Sequence, residues 1–139
     1  GGGGGGAAFT DTEGPTHVLP PGVPVVVAHV DVPAGQYVVK AKAECSSQIE
    51  AGTGQIQCRL VATSGTEIDS QRTVTHSGRF TTTALLGPLS TPDAATGIDL
   101  VCQTNDPFNG FIDNAELAAM QVSSLVSTIA PVPTSRTRK

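Results

Sequence analysis

Residues 35–63 read GQYVVKAKAECSSQIEAGTGQIQCRLVAT. In the first arm Tyr37, Val39, Ala41, Ala43 and Cys45 fall on one side, while Lys40, Lys42 and Glu44 fall on the other. In the second arm Ile56, Cys58, Leu60 and Ala62 share a side, opposite Gln55, Gln57 and Arg59. Successive side chains of a strand point to opposite faces of a sheet, so both arms read as half-buried strands. The polar, Gly-bearing segment between them reads as a turn. A symmetric hairpin would set Cys45 across from Cys58, Ala43 from Leu60 and Ala41 from Ala62, with both apolar faces on one side of the sheet.

The same grammar extends in both directions. Upstream, Val25 to Val32 is nearly continuous in apolar character, which predicts a strand buried on both faces. His29 lies within it, and a lone histidine there reads as a core or interface residue rather than a ligand. DVPAG then turns the chain into the central stretch. Downstream, TEIDSQRTVTH alternates but is polar, as expected near a sheet edge, where charges guard against stray pairing. Phe80, Thr82, Ala84 and Leu86 make one face of a further strand, which Gly87 and Pro88 should interrupt. Ile98 to Thr104 is the next strand, and NDPFNG the next turn. The last patterned segment, FIDNAELAAMQVSSL, changes phase midway. A helix over DNAELAAMQV would fit, but a bulged strand fits better: the preceding strands need a partner, and a bulge shifts the alternation by one. These short strands, with turns every ten or so residues, predict an all-β antiparallel sandwich.

The ends read differently. Gly1 to Gly6 cannot build a core and is a flexible linker or a glycine-rich stalk. Pro15, Pro20, Pro21 and Pro24 forbid helix on the way to the first strand. This divides the chain into an N-terminal arm over residues 1–22, a domain over 23–127 and an extended basic tail over 128–139. Phe9 in the first arm could dock on a neighbour or tuck against its own domain. Arg136, Arg138 and Lys139 form the only basic cluster, at the loose end of the tail. The chain does not begin with Met and shows no recognisable leader, which fits either a processed protein or a piece of a longer one.

Composition excludes several functions. A net charge of −4 lacks the basic footprint that nucleic-acid binding requires. The longest apolar run is too short and too interrupted for a helix that crosses a bilayer, so no membrane insertion is expected. There is no G-x-S-x-G elbow to position a nucleophile beside His17, His29 or His76, and no phosphate-binding glycine motif. The acidic residues Glu44, Glu50, Glu67, Asp69, Asp99 and Asp113 read as scattered outward positions rather than a catalytic pair. No catalysis and no cofactor are therefore expected. Asn105, Asp106 and Asp113, with Asn109 and Asn114, gather near one turn and are weak calcium candidates, although turn chemistry alone favours Asn and Asp there. The three cysteines fall on inward faces and are either three buried thiols or one bridge with a spare thiol.

The phrase VPAGQYVVKAKAECSS resembles a strand-turn-strand of jelly-roll domains in the tumour necrosis factor and complement globular-head group. QIQCRLVAT, FTTTALLGPLS, IDLVCQTND and IDNAELAAMQVSSL resemble small actinobacterial and actinobacteriophage proteins of that type, over roughly residues 23 to 125. The resemblance implies a jelly roll of seven to eight strands with no catalysis. It implies a homotrimer with a role in adhesion, or in decorating a capsid or fibre head, at a virion or cell surface. Partner capsid, tail or surface proteins would then be reached through the terminal arms. The resemblance also singles out Cys58 and Cys102 as the bridged pair, leaving Cys45 spare. The aromatic residues Tyr37, Phe9, Phe80, Phe108 and Phe111 are few for a trimer axis, which Val and Leu would have to line instead. The competing expectation is a secreted carbohydrate- or ligand-binding module using the loops around Asn105 to Asn114 and Thr91 to Thr96. The absence of Trp disfavours sugar stacking.

Overall fold

The computed structural model describes residues 7–49 and 52–123. Its strands are β1 (Ala8–Glu13), β2 (His17–Leu19), β3 (Val25–Val32), β4 (Gly35–Ser47), β5 (Gly54–Ala62), β6 (Glu67–Thr75), β7 (Thr81–Thr91), β8 (Thr96–Thr104) and β9 (Gly110–Val122). Two antiparallel sheets form a sandwich. One is ordered β1-β9-β4-β7 with β2 also on β9, and the other is ordered β3-β8-β5-β6. This is the all-β jelly roll expected from the patterning. The core between the layers is aliphatic, with Tyr37, Leu19, Ile56, Leu60, Ile98, Leu100, Ile112 and Leu117 its largest fully buried side chains.

The central stretch is not a hairpin. β4 pairs with β7 and β9, whereas β5 pairs with β6 and β8. The chain crosses from one layer to the other after Ser47, so the two apolar faces meet across the core instead of lying side by side. Alternation is satisfied equally well by either arrangement, which is why it could not choose between them. A consequence follows for the polar residues. Lys40, Lys42 and Glu44 look out from one layer, while Gln55, Gln57 and Arg59 look out from the other, so they do not form a common face.

Other expectations need correction. β3 is buried on one face only: Val26 is half exposed and His29 and Asp31 point outward, after a register shift between Val26 and Ala28. β7 continues through Gly87 and Pro88 to Thr91, and the face it buries is Thr83, Leu85, Gly87 and Leu89. Proline lacks an N–H, but β7 is an edge strand, where no second ladder needs that donor. Phe80, just before β7, is exposed, as are Thr82, Ala84 and Leu86 on the outer face. Residues 8–13 and 17–19, assigned by sequence to the N-terminal arm, are strands paired to β9. Phe9 tucks against its own domain, edge-on to Tyr37 at 6.1 Å between ring centres. The polar β6 lies at a sheet edge and the phase change of β9 is a bulge, both as expected. At that bulge Asn114 adopts a φ of 51°, a left-handed conformation that Asn tolerates better than most residues.

The two open sides of the sandwich are closed across layers by carboxylates. On one side Asp69 Oδ2 of β6 accepts the Leu86 N–H of β7 at 2.9 Å. On the other, Asp11 Oδ2 of β1 accepts the His29 N–H of β3 at 3.0 Å. Each bond satisfies an edge-strand donor that would otherwise invite pairing with another chain.

Candidate functional site

Strand pairing fixes what the outer face of the β1-β9-β4-β7 sheet presents. Side chains directly opposite one another across neighbouring strands form rows. One row is Ala8, Met120, Val38 and Pro88; the next is Thr10, Ala118, Lys40 and Leu86; the third is Thr12, Glu116, Lys42 and Ala84. Leu86 is 62% exposed and Met120 38%. The small Ala84 and Ala118 between longer side chains leave a groove of about 380 Å³, floored by the sheet and flanked by Thr10, Lys40, Lys42, Leu86 and Glu116. Lys42 Nζ lies 3.9 Å from Glu116 Oε1, and Glu44 Oε1 accepts the Asn114 amide at 2.8 Å. One end of the face is therefore apolar and the other carries charges of both signs. Contiguous apolar surface rimmed by polar groups is the physical mark of a contact surface.

The cysteines lie elsewhere. Cys58 and Cys102 face each other on β5 and β8, with Cα atoms 4.1 Å apart, and form a disulfide at the centre of their sheet. Cys45 is a free, buried thiol on β4, and burial pushes its pKa up to about 12. A thiol held so far from its thiolate is a packing residue rather than a nucleophile.

The calcium candidates do not converge. Asp106 Oδ2 accepts the Gln55 N–H at 2.8 Å and the Thr104 hydroxyl at 3.1 Å, which pins the turn after β8. Asn105 accepts the Gln103 amide at 2.8 Å. Asp113 sits on β9 opposite Glu44, with no hydrogen bond to its Oδ1. Among the described residues no group of three or more His, Cys, Asp or Glu is arranged to hold a metal ion. Arg136, Arg138 and Lys139 lie outside the described residues.

The sequence reading missed the environment of His29. Its Nδ1 lies 2.5 Å from Asp99 Oδ1 and its Nε2 2.8 Å from Asp31 Oδ1. The hydrogen bond to Asp99, then that to Asp31, raises its pKa above the ordinary histidine value. The spacing of His29 and Asp31, two apart on one strand face, was a legible hint. Asp99 could be placed only by the pairing of β3 with β8.

No family model and no curated protein matches the chain. Solved structures do match. The VP2 subviral particle of infectious bursal disease virus superposes with a TM-score of 0.58 at 12% identity, over 84% of this chain and 33% of that one. A chain from the structure of the Gx strain of that virus gives 0.51 at 12% identity, over 85% and 32%. The Eiger TNF from S. frugiperda gives 0.54 at 10% identity, over 93% and 99%. This chain thus spans about a third of the VP2 chain and nearly the whole of the TNF chain. At such identities the likeness is one of fold, and the shared fold is the jelly roll.

Proposed function

We propose that this chain is a non-enzymatic structural jelly roll that assembles with copies of itself, as a homotrimer, through the outer face of the β1-β9-β4-β7 sheet. The observation that carries this reading is that face. Leu86, Pro88, Val38, Met120 and Ala118 adjoin in register around Lys40, and Lys42, Glu44 and Glu116 sit toward one end. The occupant is a second copy because the face carries its own complement. Lys40, Lys42 and Glu44 follow one another along the outer side of β4, and Glu116 of β9 lies beside Lys42, so a rotated copy can set acid against base. A contact between unlike parts of one surface is heterologous, and it closes into a ring when the rotation per copy divides the circle. The aliphatic lining does the work for which this chain has few aromatic residues.

Display at a virion or cell surface is the setting that suits such a domain. Two of the solved jelly rolls with the same fold come from a virus particle and from a TNF, which is the company this reading expects. Attachment to capsid, tail or surface proteins would use the chain ends. Light scattering and sedimentation at low micromolar concentration test the assembly. A trimer is expected, and Leu86→Lys combined with Met120→Lys should give a folded monomer. A wild-type chain that stays monomeric would end this reading.

A further inference from the structure

We propose that His29 is a proton-operated latch that holds strand β1 across the β1/β3 side of the sandwich, closed while the ring is protonated and loosened as pH rises. The geometry is specific. Asp11 of β1 reaches across to the backbone N–H of His29, and the ring of the same residue bridges Asp99 of β8 and Asp31 of β3. Phe9, Thr10, Asp11, His29, Val30 and Asp31 line one shallow groove, so the backbone contact and the ring share an environment. The ring packs against Gly97, where an added Cβ would come within 2.7 Å of His29 Cε1. A side chain at position 97 would collide with the ring and displace it, so glycine there is part of the device.

The chemistry of the ring supplies the switch. Imidazolium donates from both nitrogens and satisfies both carboxylates. Neutral imidazole has a single N–H, so one carboxylate then faces a lone pair. Three carboxylates, those of Asp11, Asp31 and Asp99, also lose the only cation among them. Among the described residues, the other charges nearby leave this balance negative, and His17 of β2 acts on Glu13 rather than on the ring's partners. Glu13 lies further along β1 and adds negative charge, and Glu67, in the row beyond Asp99, is 3.8 Å from Arg59. On β9, Glu116 points to the outer face of the other sheet.

The direction of the pH effect follows from the raised pKa of His29. The stabilisation is fully present below the ordinary value of 6.5 and is lost as pH rises through the raised folded value. Release of β1 uncovers the edge of β9 along Ala115 to Met120 and exposes Phe9 and Tyr37. The latch groups lie on the side of the sandwich, but β1 also supplies Ala8, Thr10 and Thr12 to the proposed contact face, so the test is repeated in the Leu86→Lys/Met120→Lys chain, where assembly plays no part.

The test uses the intact chain. The ring proton of His29 is titrated by NMR, and amide hydrogen exchange is followed from about pH 6 to 9 with protection corrected for the intrinsic rate. Tyr37, the only tyrosine in a chain without tryptophan, reports the opening by its fluorescence. A His29 midpoint above 6.5 is expected. Protection at residues 8–13 should fall as the ring deprotonates, by at most about tenfold per pH unit for one linked proton. Protection over residues 67–75 should not change. In His29→Gln the β1 protection should be flat with pH, and in Asp99→Asn the midpoint should drop toward 6.5. A midpoint at or below 6.5, β1 protection independent of pH in the wild type, or the same pH dependence in His29→Gln would each overturn the latch.

Discussion

The two sides of this sandwich solve one problem with different materials. At the β6/β7 side, Gly87 lets the layers approach until an added Cβ would lie 2.6 Å from the Ile68 carbonyl oxygen, and Asp69 caps the Leu86 N–H. At the β1/β3 side, Asp11 caps the His29 N–H, but the surroundings are an imidazole and two further carboxylates rather than packed backbone. The first closure depends mainly on shape, with one carboxylate bonded to a neutral N–H. The second depends on charge, which pH and salt can change. One chain can thus be fixed along one side and conditional along the other, and the conditional side holds its first described strand.

The comparison requires a common interior, and the disulfide tests that. Cys58 and Cys102 join the two central strands of one sheet, midway between the sides. The bridge closes a loop of sequence separation 44. Replacing both cysteines with alanine should cost about 4 kcal/mol by loop-closure entropy and weaken both sides alike. Denaturant unfolding with exchange readout checks this, and a loss confined to one side would show that the interior is not shared. Next in size is Gly87→Val. It forces bulk against the Ile68 carbonyl and should cost about 2–3 kcal/mol, concentrated at β6 and β7, with no dependence on pH. An unchanged unfolding midpoint would mean that the layers are not held apart there by contact.

How far these features could be read from the residues varies with how local they are. The strands β4, β5, β6 and β8 were legible because each carries its own period-two pattern, and the bulge of β9 because the period visibly breaks at Asn114. Pairing was not legible in the same way. Whether Cys45 faces Cys58 in a hairpin or lies in the opposite layer depends on strands forty to eighty residues away, and those contribute nothing to the local pattern. The orientation of β7 failed for a related reason. Leu85 and Leu86 are adjacent, so either could point inward, and only the partners of β4 decide that Leu85 does. β1 and β2 were hidden by the prolines around them, since proline marks loops and edge strands alike. The contact face and the His29 cluster are products of pairing, so neither could be assembled before the sheet order was known.

Smaller effects separate the two sides more finely. Phe9→Ala removes an aromatic edge contact and a half-buried ring, for about 1–2 kcal/mol, felt in β1 protection and not in β6. Equal losses in both strands would mean that β1 is part of one cooperative unit with the far side. Asp69→Ala and Asp11→Ala each remove an exposed charge-assisted bond and should cost about 1 kcal/mol near neutral pH. Their costs should diverge at alkaline pH. Asp69→Ala should cost the same there, while Asp11→Ala should cost less, because it also removes one of three crowded carboxylates.

The smallest effect is the most diagnostic, because it asks whether the opening of the β1/β3 side is driven by the lost hydrogen bond or by repulsion. Above the His29 midpoint the groove holds the carboxylates of Asp11, Asp31 and Asp99 without a cation between them. Asp31 is 84% exposed and His29 42%, so their interaction runs largely through solvent and is open to screening. At about 1 M salt the screening length falls to about 3 Å, shorter than the span of the cluster. If repulsion loosens β1, salt at pH 9 should restore part of its protection, and in His29→Gln, where the three carboxylates never have a cation between them, salt should do the same at pH 6 and at pH 9. At pH 6 the same salt should weaken the imidazolium bridge and lower protection, so the salt effect reverses sign across the midpoint. The β6/β7 side, with one carboxylate bonded to a neutral N–H, should respond at neither pH. A salt effect of the same sign at both pH values would assign the opening to the hydrogen bond alone and remove the crowded carboxylates from the mechanism.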